Sequence, residues 1–259
     1  MDIIKEENKL KDKTVSKELQ DTQNKVDVRS IPINRVGIKD IKYPFQISDK
    51  NGEIQTTVGT FIMSVGLPHD VKGTHMSRFV KILEDQKDFI SIENFEQLVK
   101  NTTKILSSES AYISVDFTYF KKKSAPVSRV ESLLDYSVNF TCEVKNNIVN
   151  KYLKVIVPVT SLCPCSKNIS DYGAHNQRSH ISAHIRIEKT VWIDDVIEIL
   201  ENQASCQIYG LLKRPDEKYV TEQAYDNPKF TEDIIRDLAV TLNKDDRITA
   251  YKIESENFE

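Results

Sequence analysis

The sequence predicts an α+β protein built from two ββααββ units, each an antiparallel sheet backed by helices. Three observations predict it. Two alternating stretches flank the turn Asp49-Lys50-Asn51-Gly52, two segments with apolar residues at helical spacing come next, and the same succession restarts near Tyr152. The units are expected over about residues 36–146 and 149–259, behind a charged, flexible tail over residues 1–30 that offers few apolar positions to bury.

In chain order, GIKDIKYPFQIS and EIQTTVGTFIMSV alternate partially about the Asn-Gly turn and read as a β-hairpin. THMSRFVKILEDQ and SIENFEQLVKNTTKILSSES carry apolar residues three and four apart and read as helices, with Thr74 or Ser77 and then Ser91 as N-caps. AYISVDFTYFKKK and the stretch from Glu131 to Lys145, with Leu133, Tyr136, Val138 and Phe140, return to strand composition across the polar SAPVSR segment.

The second half repeats the order. YLKVIVPVTSL is rich in β-branched residues, and SHISAHIRIEK alternates as its partner across a loop holding two cysteines and His175. WIDDVIEILENQASCQIYGLLK reads as a helix with Ile193, Val196, Ile197 and Leu200 on one face, interrupted near Gly210 and ended by Pro215. FTEDIIRDLAVTLNK reads as a second helix, and ITAYKIESENFE begins one more strand, so the second unit is expected to be truncated by a strand.

A chain of 259 residues can bury a full core without staples. Its start is charged throughout and no later stretch approaches a membrane span, so a cytoplasmic protein is expected. In that compartment neighbouring cysteines serve as metal ligands or reactive groups more often than as bridges. The formal net charge of -3, with no long basic stripe, argues against nucleic-acid binding, and an anionic substrate would need a local basic pocket.

Residues 159–185, VTSLCPCSKNISDYGAHNQRSHISAHI, hold two of the four cysteines and three of the five histidines. Around Pro164, which favours a strand end, Cys163 and Cys165 would share one face of an extended backbone. They are either metal ligands or small buried hydrophobes, and the second reading is preferred for Cys142 and Cys206, which have no polar cluster beside them. His175 sits in a loop and is a metal candidate, whereas His180 and His184 alternate in a strand and read as ordinary strand residues. A catalytic site wants three protein ligands and an open position. Asp216, Glu217 and Glu222 in a polar turn, or Glu232 at the start of the last helix, could supply the third, and residue chemistry alone leaves that choice open.

Several long stretches carry a family resemblance: Val65-Gly66-Leu67-Pro68-His69, Lys72-Gly73-Thr74-His75-Met76-Ser77-Arg78-Phe79, the segment from Pro158 to Ser179, Leu211 to Tyr225, and Asn227 to Asp233. Through them the chain from about Val36 onward resembles the type IB GTP cyclohydrolase I family. The resemblance implies the tunnelling fold, a homotetramer with active sites where subunits meet, and conversion of GTP and water to 7,8-dihydroneopterin triphosphate and formate, the first step of folate-type pterin synthesis. It places the metal ligands on Cys163, His175 and Glu217, with Glu232 anchoring the guanine, and leaves Cys165 beside the site. Zinc, iron or manganese would suit such a mixed S, N, O set. For the triphosphate, Lys72, His75, Arg78, Lys167 and Arg178 are expected from their proximity to the motifs.

Two other readings stand beside it: a tunnelling-fold reductase of a deazaguanine nitrile, and a binding module whose structural metal is closed by Cys163, Cys165, His175 and an acid. The family pattern also continues past a Phe-Glu pair like Phe258-Glu259 into a Ser-Ile-His segment whose histidine moves protons. The chain as written stops before it, so slow turnover is expected of these 259 residues alone.

Overall fold

Alternation and turn chemistry build the first hairpin as expected. β1 (Ile33–Ser48) and β2 (Ile54–Leu67) pair antiparallel, Asp49 Oδ1 accepts the amides of Asn51 and Glu53, and Gly52 takes φ +82°. The computed structural model describes residues 21, 23, 25–86, 90–92 and 94–258, so the expected tail lies outside the described residues up to residue 20. From there the chain lies against the segment after β2: Val26 bridges Val71, and the amides of Lys72 and Gly73 donate to the carbonyls of Lys25 and Gln23.

Helices α1 (Met76–Glu84) and α2 (Phe95–Ile105) each bury one stripe, Phe79, Ile82 and Leu83 on the first and Phe95, Leu98 and Val99 on the second. Their caps differ from expectation. His75 and Asn94 are the N-caps, and Ser91 exchanges bonds with Asn94 ahead of the helix, at 2.7 Å through its amide and 3.3 Å through its hydroxyl.

β3 (Ser110–Ser124) and β4 (Glu131–Lys145) complete the first unit, and β5 (Ile148–Leu162) continues the sheet. There follow a short helix α3 (Pro164–Ile169), β6 (Asn176–Ile187), α4 (Ile193–Glu201), the two-residue β7 (Cys206–Gln207), α5 (Arg214–Asp226), α6 (Thr231–Leu242) and β8 (Ile248–Phe258). The strand order is β1-β2-β3-β4-β5-β6-β8 with every neighbouring pair antiparallel, so both units share one sheet through β4 and β5. The β4–β5 ladder ends at Ser137 opposite Ile156, and β7 takes the freed edge of β5 at Val159 and Thr160.

One sheet face carries Phe61, Met63, Val115, Phe140, Val155, Val157, Ile181 and Ile185, which pack with the apolar stripes of α1, α2, α4 and α6 in a single core. Buried polar contacts fix α4 on that face: Tyr119 donates to Asp194, and Tyr136 and Lys123 both donate to Glu201. Cys142 and Cys206 are buried apolar residues, and burial pushes the Cys142 thiol up to about 12.

Three expectations are corrected here. The segment from Trp192 to Lys213 is not one interrupted helix, because α4 stops at Glu201 and the chain turns to form β7. Gly210 then crosses so close to β4 that a Cβ would stand 2.6 Å from the Leu133 carbonyl oxygen. Pro215 opens α5 rather than ending a helix, since proline in a first turn forfeits no helical hydrogen bond. The residues read as a polar turn, Asp216 to Glu222, are therefore helical.

Candidate active site

The register separates the candidate residues into two groups. Leu67 lies at the end of the sheet shared by Ser110, Lys145 and Ile148, whereas Leu162, Asn176 and Phe258 lie at the other end. Fifteen-residue β5 separates these ends by roughly 45 Å at the ordinary strand rise. Lys72, His75 and Arg78 follow Leu67. Cys163, Lys167, His175 and Arg178 cluster about the opposite end.

At that end β5 stops because Pro164 cannot continue a ladder and instead starts α3, with Cys163 as N-cap. Cys163 and Cys165 therefore do not share an extended face as expected: Cys163 is half-buried, and Cys165 is exposed in the first helical turn. The Ser166 amide, directed at the sulfur, holds the Cys163 thiol below its ordinary range against partial burial, and the Cys165 amide adds to it. The Cys163 amide donates to the His175 carbonyl at 3.0 Å, and Ser166 Oγ accepts the His175 amide at 2.7 Å while donating to the Cys163 carbonyl at 3.0 Å. Ser166 thus locks the two candidate ligands together. Sequence reading passed over it, although a serine three residues after a helix N-cap is placed for such a bond.

Glu217 and Glu232 come to the same region on α5 and α6. Val220 and Ala224 of α5 pack with Leu162, Cys206 and Ala174, the last adjoining His175. Lys167 reaches the end of α5, donating to the Tyr225 carbonyl with its ammonium 4.0 Å from the Tyr225 ring centroid. α6 is tied in by the Lys229 amide donating to the Leu162 carbonyl, and Thr231 beside Glu232 is linked through Asn257 to Ser179. Glu217, Glu232, His175 and Arg178 are exposed.

The donor types suit a divalent cation: a thiol biased toward thiolate, an imidazole and a carboxylate. Among the described residues, however, no three His, Cys, Asp or Glu side chains converge closely enough to hold a metal ion, so the Cys163–His175 pair and Glu217 do not form a closed shell. At the far end, His75 Nε2 lies 3.1 Å from Asp21 Oδ2, Arg78 contacts the Ile105 carbonyl at 3.4 Å, and Lys72 is exposed. His180 meets Phe258 in a T-shaped contact and His184 meets Tyr152 at a tilt, both on the helix-free sheet face.

Asp216, set beside Glu217 as an alternative ligand, has another occupation. It is fully buried, and its carboxylate accepts four hydrogen bonds.

The sequence matches the family described as type I GTP cyclohydrolase FolE2 over residues 19–259. The chain belongs to that family. Its FolE2 relatives include GTP cyclohydrolase FolE2 of Nitrosococcus oceani, 56% identical over 95% of this chain and 92% of that protein. Those of Azoarcus sp. and Nitrosomonas eutropha are 57% and 58% identical, each over 93% of this chain and 90% and 91% of theirs. Among solved structures, a hyper-thermostable uricase mutant matches with a TM-score of 0.51 at 9% identity, over 85% of this chain and 78% of that one. At that identity the likeness speaks to fold alone, and the fold is the tunnelling fold.

Proposed function

We propose that this FolE2 family member is a metal-dependent GTP cyclohydrolase that converts GTP and water to 7,8-dihydroneopterin triphosphate and formate. The observation that carries the site is the bond pinning Cys163 to His175 beside a helix start that favours the thiolate. Cys163, His175 and Glu217 would hold a divalent cation, whose chemistry there is Lewis-acid polarisation of the ring carbon and acidification of the attacking water. Glu232 accepts two parallel hydrogen bonds from the guanine ring N–H and amino group, which orients C8 toward that centre. Opening of the ring at C8 and release of that carbon as formate follow from attack by water on the oriented base.

The basic residues bear on assembly. Lys167 and Arg178 stand at the Cys163 end, while Lys72, His75 and Arg78 stand at the opposite end of the same sheet. A triphosphate site that uses both groups draws them from two chains, which favours a homotetramer with sites at subunit boundaries. Among the described residues no helix is long and apolar enough to cross a membrane. The test is incubation of the purified protein with GTP and Zn²⁺, Mn²⁺ or Fe²⁺, following formate and the pterin fluorescence that appears after oxidation. Metal-dependent release of both products is expected, and GTP left intact with every metal would refute the activity.

A further inference from the structure

We propose that Asp216 is the positioning residue for Glu217, setting the first turn of α5 so that the neighbouring carboxylate is presented to the metal. This rests on the reading of Glu217 as a ligand. α5 is an unusual helix for a structural role, because only Asp216 and Ala224 of its thirteen residues are buried. Its C-terminal half has an apolar attachment through Val220 and Ala224. Its N-terminal end depends on Asp216. Oδ1 accepts the amides of Val127 and Ser128, both at 2.8 Å, and Oδ2 accepts the Ser128 hydroxyl at 2.5 Å and the Lys213 amide at 2.9 Å.

All four partners donate, so both oxygens must be acceptors, and only a carboxylate meets that demand at this size. An asparagine would turn an NH₂ toward at least one donor. The same carboxylate caps α5 through Lys213 and fixes it to the β3–β4 turn, so loosening it moves the turn that carries Glu217 while leaving Cys163 and His175 locked by Ser166. Partners that orient metal ligands typically contribute about 10- to 100-fold in affinity.

The test is Zn²⁺ affinity, by competition with a chromogenic chelator, in the full chain carrying Asp216→Asn, Glu217→Gln, both, or Ser128→Ala. Circular dichroism confirms folding, and Ser128→Ala, which removes one bond of four, serves if Asp216→Asn does not fold. Asp216→Asn is expected to weaken binding at least tenfold in the native background and to add nothing in the Glu217→Gln background, with a smaller loss for Ser128→Ala. A lowered melting temperature with unchanged affinity, or an equal further loss when Glu217 is already replaced, would overturn the proposal. Unchanged affinity in Glu217→Gln alone overturns it as well, and locates the fault in the ligand reading.

Discussion

Glu232 and Glu217 are both exposed glutamates near helix starts, yet they have different roles in the proposed chemistry. Glu232→Gln keeps size and shape but turns one acceptor oxygen into a donor facing the guanine N–H groups. Losing a hydrogen bond to a charged acceptor costs roughly 1.5–3 kcal/mol, or about ten- to a hundredfold in kcat/KM for GTP. Bound metal, measured by elemental analysis, should be unchanged. Metal loss in this variant would make Glu232 a ligand and count against Glu217. At this scale the sequence spoke unevenly. Cys163 and His175 were legible because scarce residue types crowd one short segment, whereas the partners of Asp216 lie almost ninety residues away, at Val127 and Ser128, where no local pattern points to them. The contacts of Lys167 with the Tyr225 carbonyl and ring are likewise long-range, tying α3 to the end of α5 across nearly sixty residues of sequence.

Helices and strands were legible wherever the period was strong, as in β3, β4 and α4, and misread where one residue type marks either end of a helix. Pro215 is that case: the same ring stops one helix or starts the next, and Asp216 capping from the third position decides for the start. Between α4 and α5 the chain runs over β4 at Gly210, where the sequence reads as a break within one helix. Gly210→Ala should cost about 1–3 kcal/mol in urea unfolding, as overpacking typically does, and unchanged stability would mean that the crossing relaxes freely. The turn from α6 to β8 carries a pH dependence. Arg247 donates to Asp245 and to Asp195 of α4, and its bonds hold the Asp245 carboxyl below the ordinary range. A depressed carboxylate stabilises the fold above its unfolded value, near 3.9, and loses that contribution as pH falls toward the folded value. The melting temperature should therefore drop below about pH 4, and Arg247→Gln should flatten that drop. An equal slope in both proteins would remove Asp245 from the account.

Across the whole molecule, the continuous antiparallel sheet sets the two groups of basic residues apart in space: the segment after β2 and the segment after β5 leave the sheet at opposite ends. If two chains complete each site, co-expressed Cys163→Ala and Arg78→Ala chains, each inactive alone, should recover up to about a quarter of the native turnover through mixed assemblies. No recovery in verified mixed oligomers would place each site within one chain. The centre itself is tested most directly by metal content per chain, with formate release, in Cys163→Ala, His175→Ala, Glu217→Ala and Cys165→Ala. The first three are expected to lose both metal and turnover, while Cys165→Ala keeps its metal near the native level. Equal metal loss in the two cysteine variants, or full metal content in Glu217→Ala, would contradict the ligand assignment.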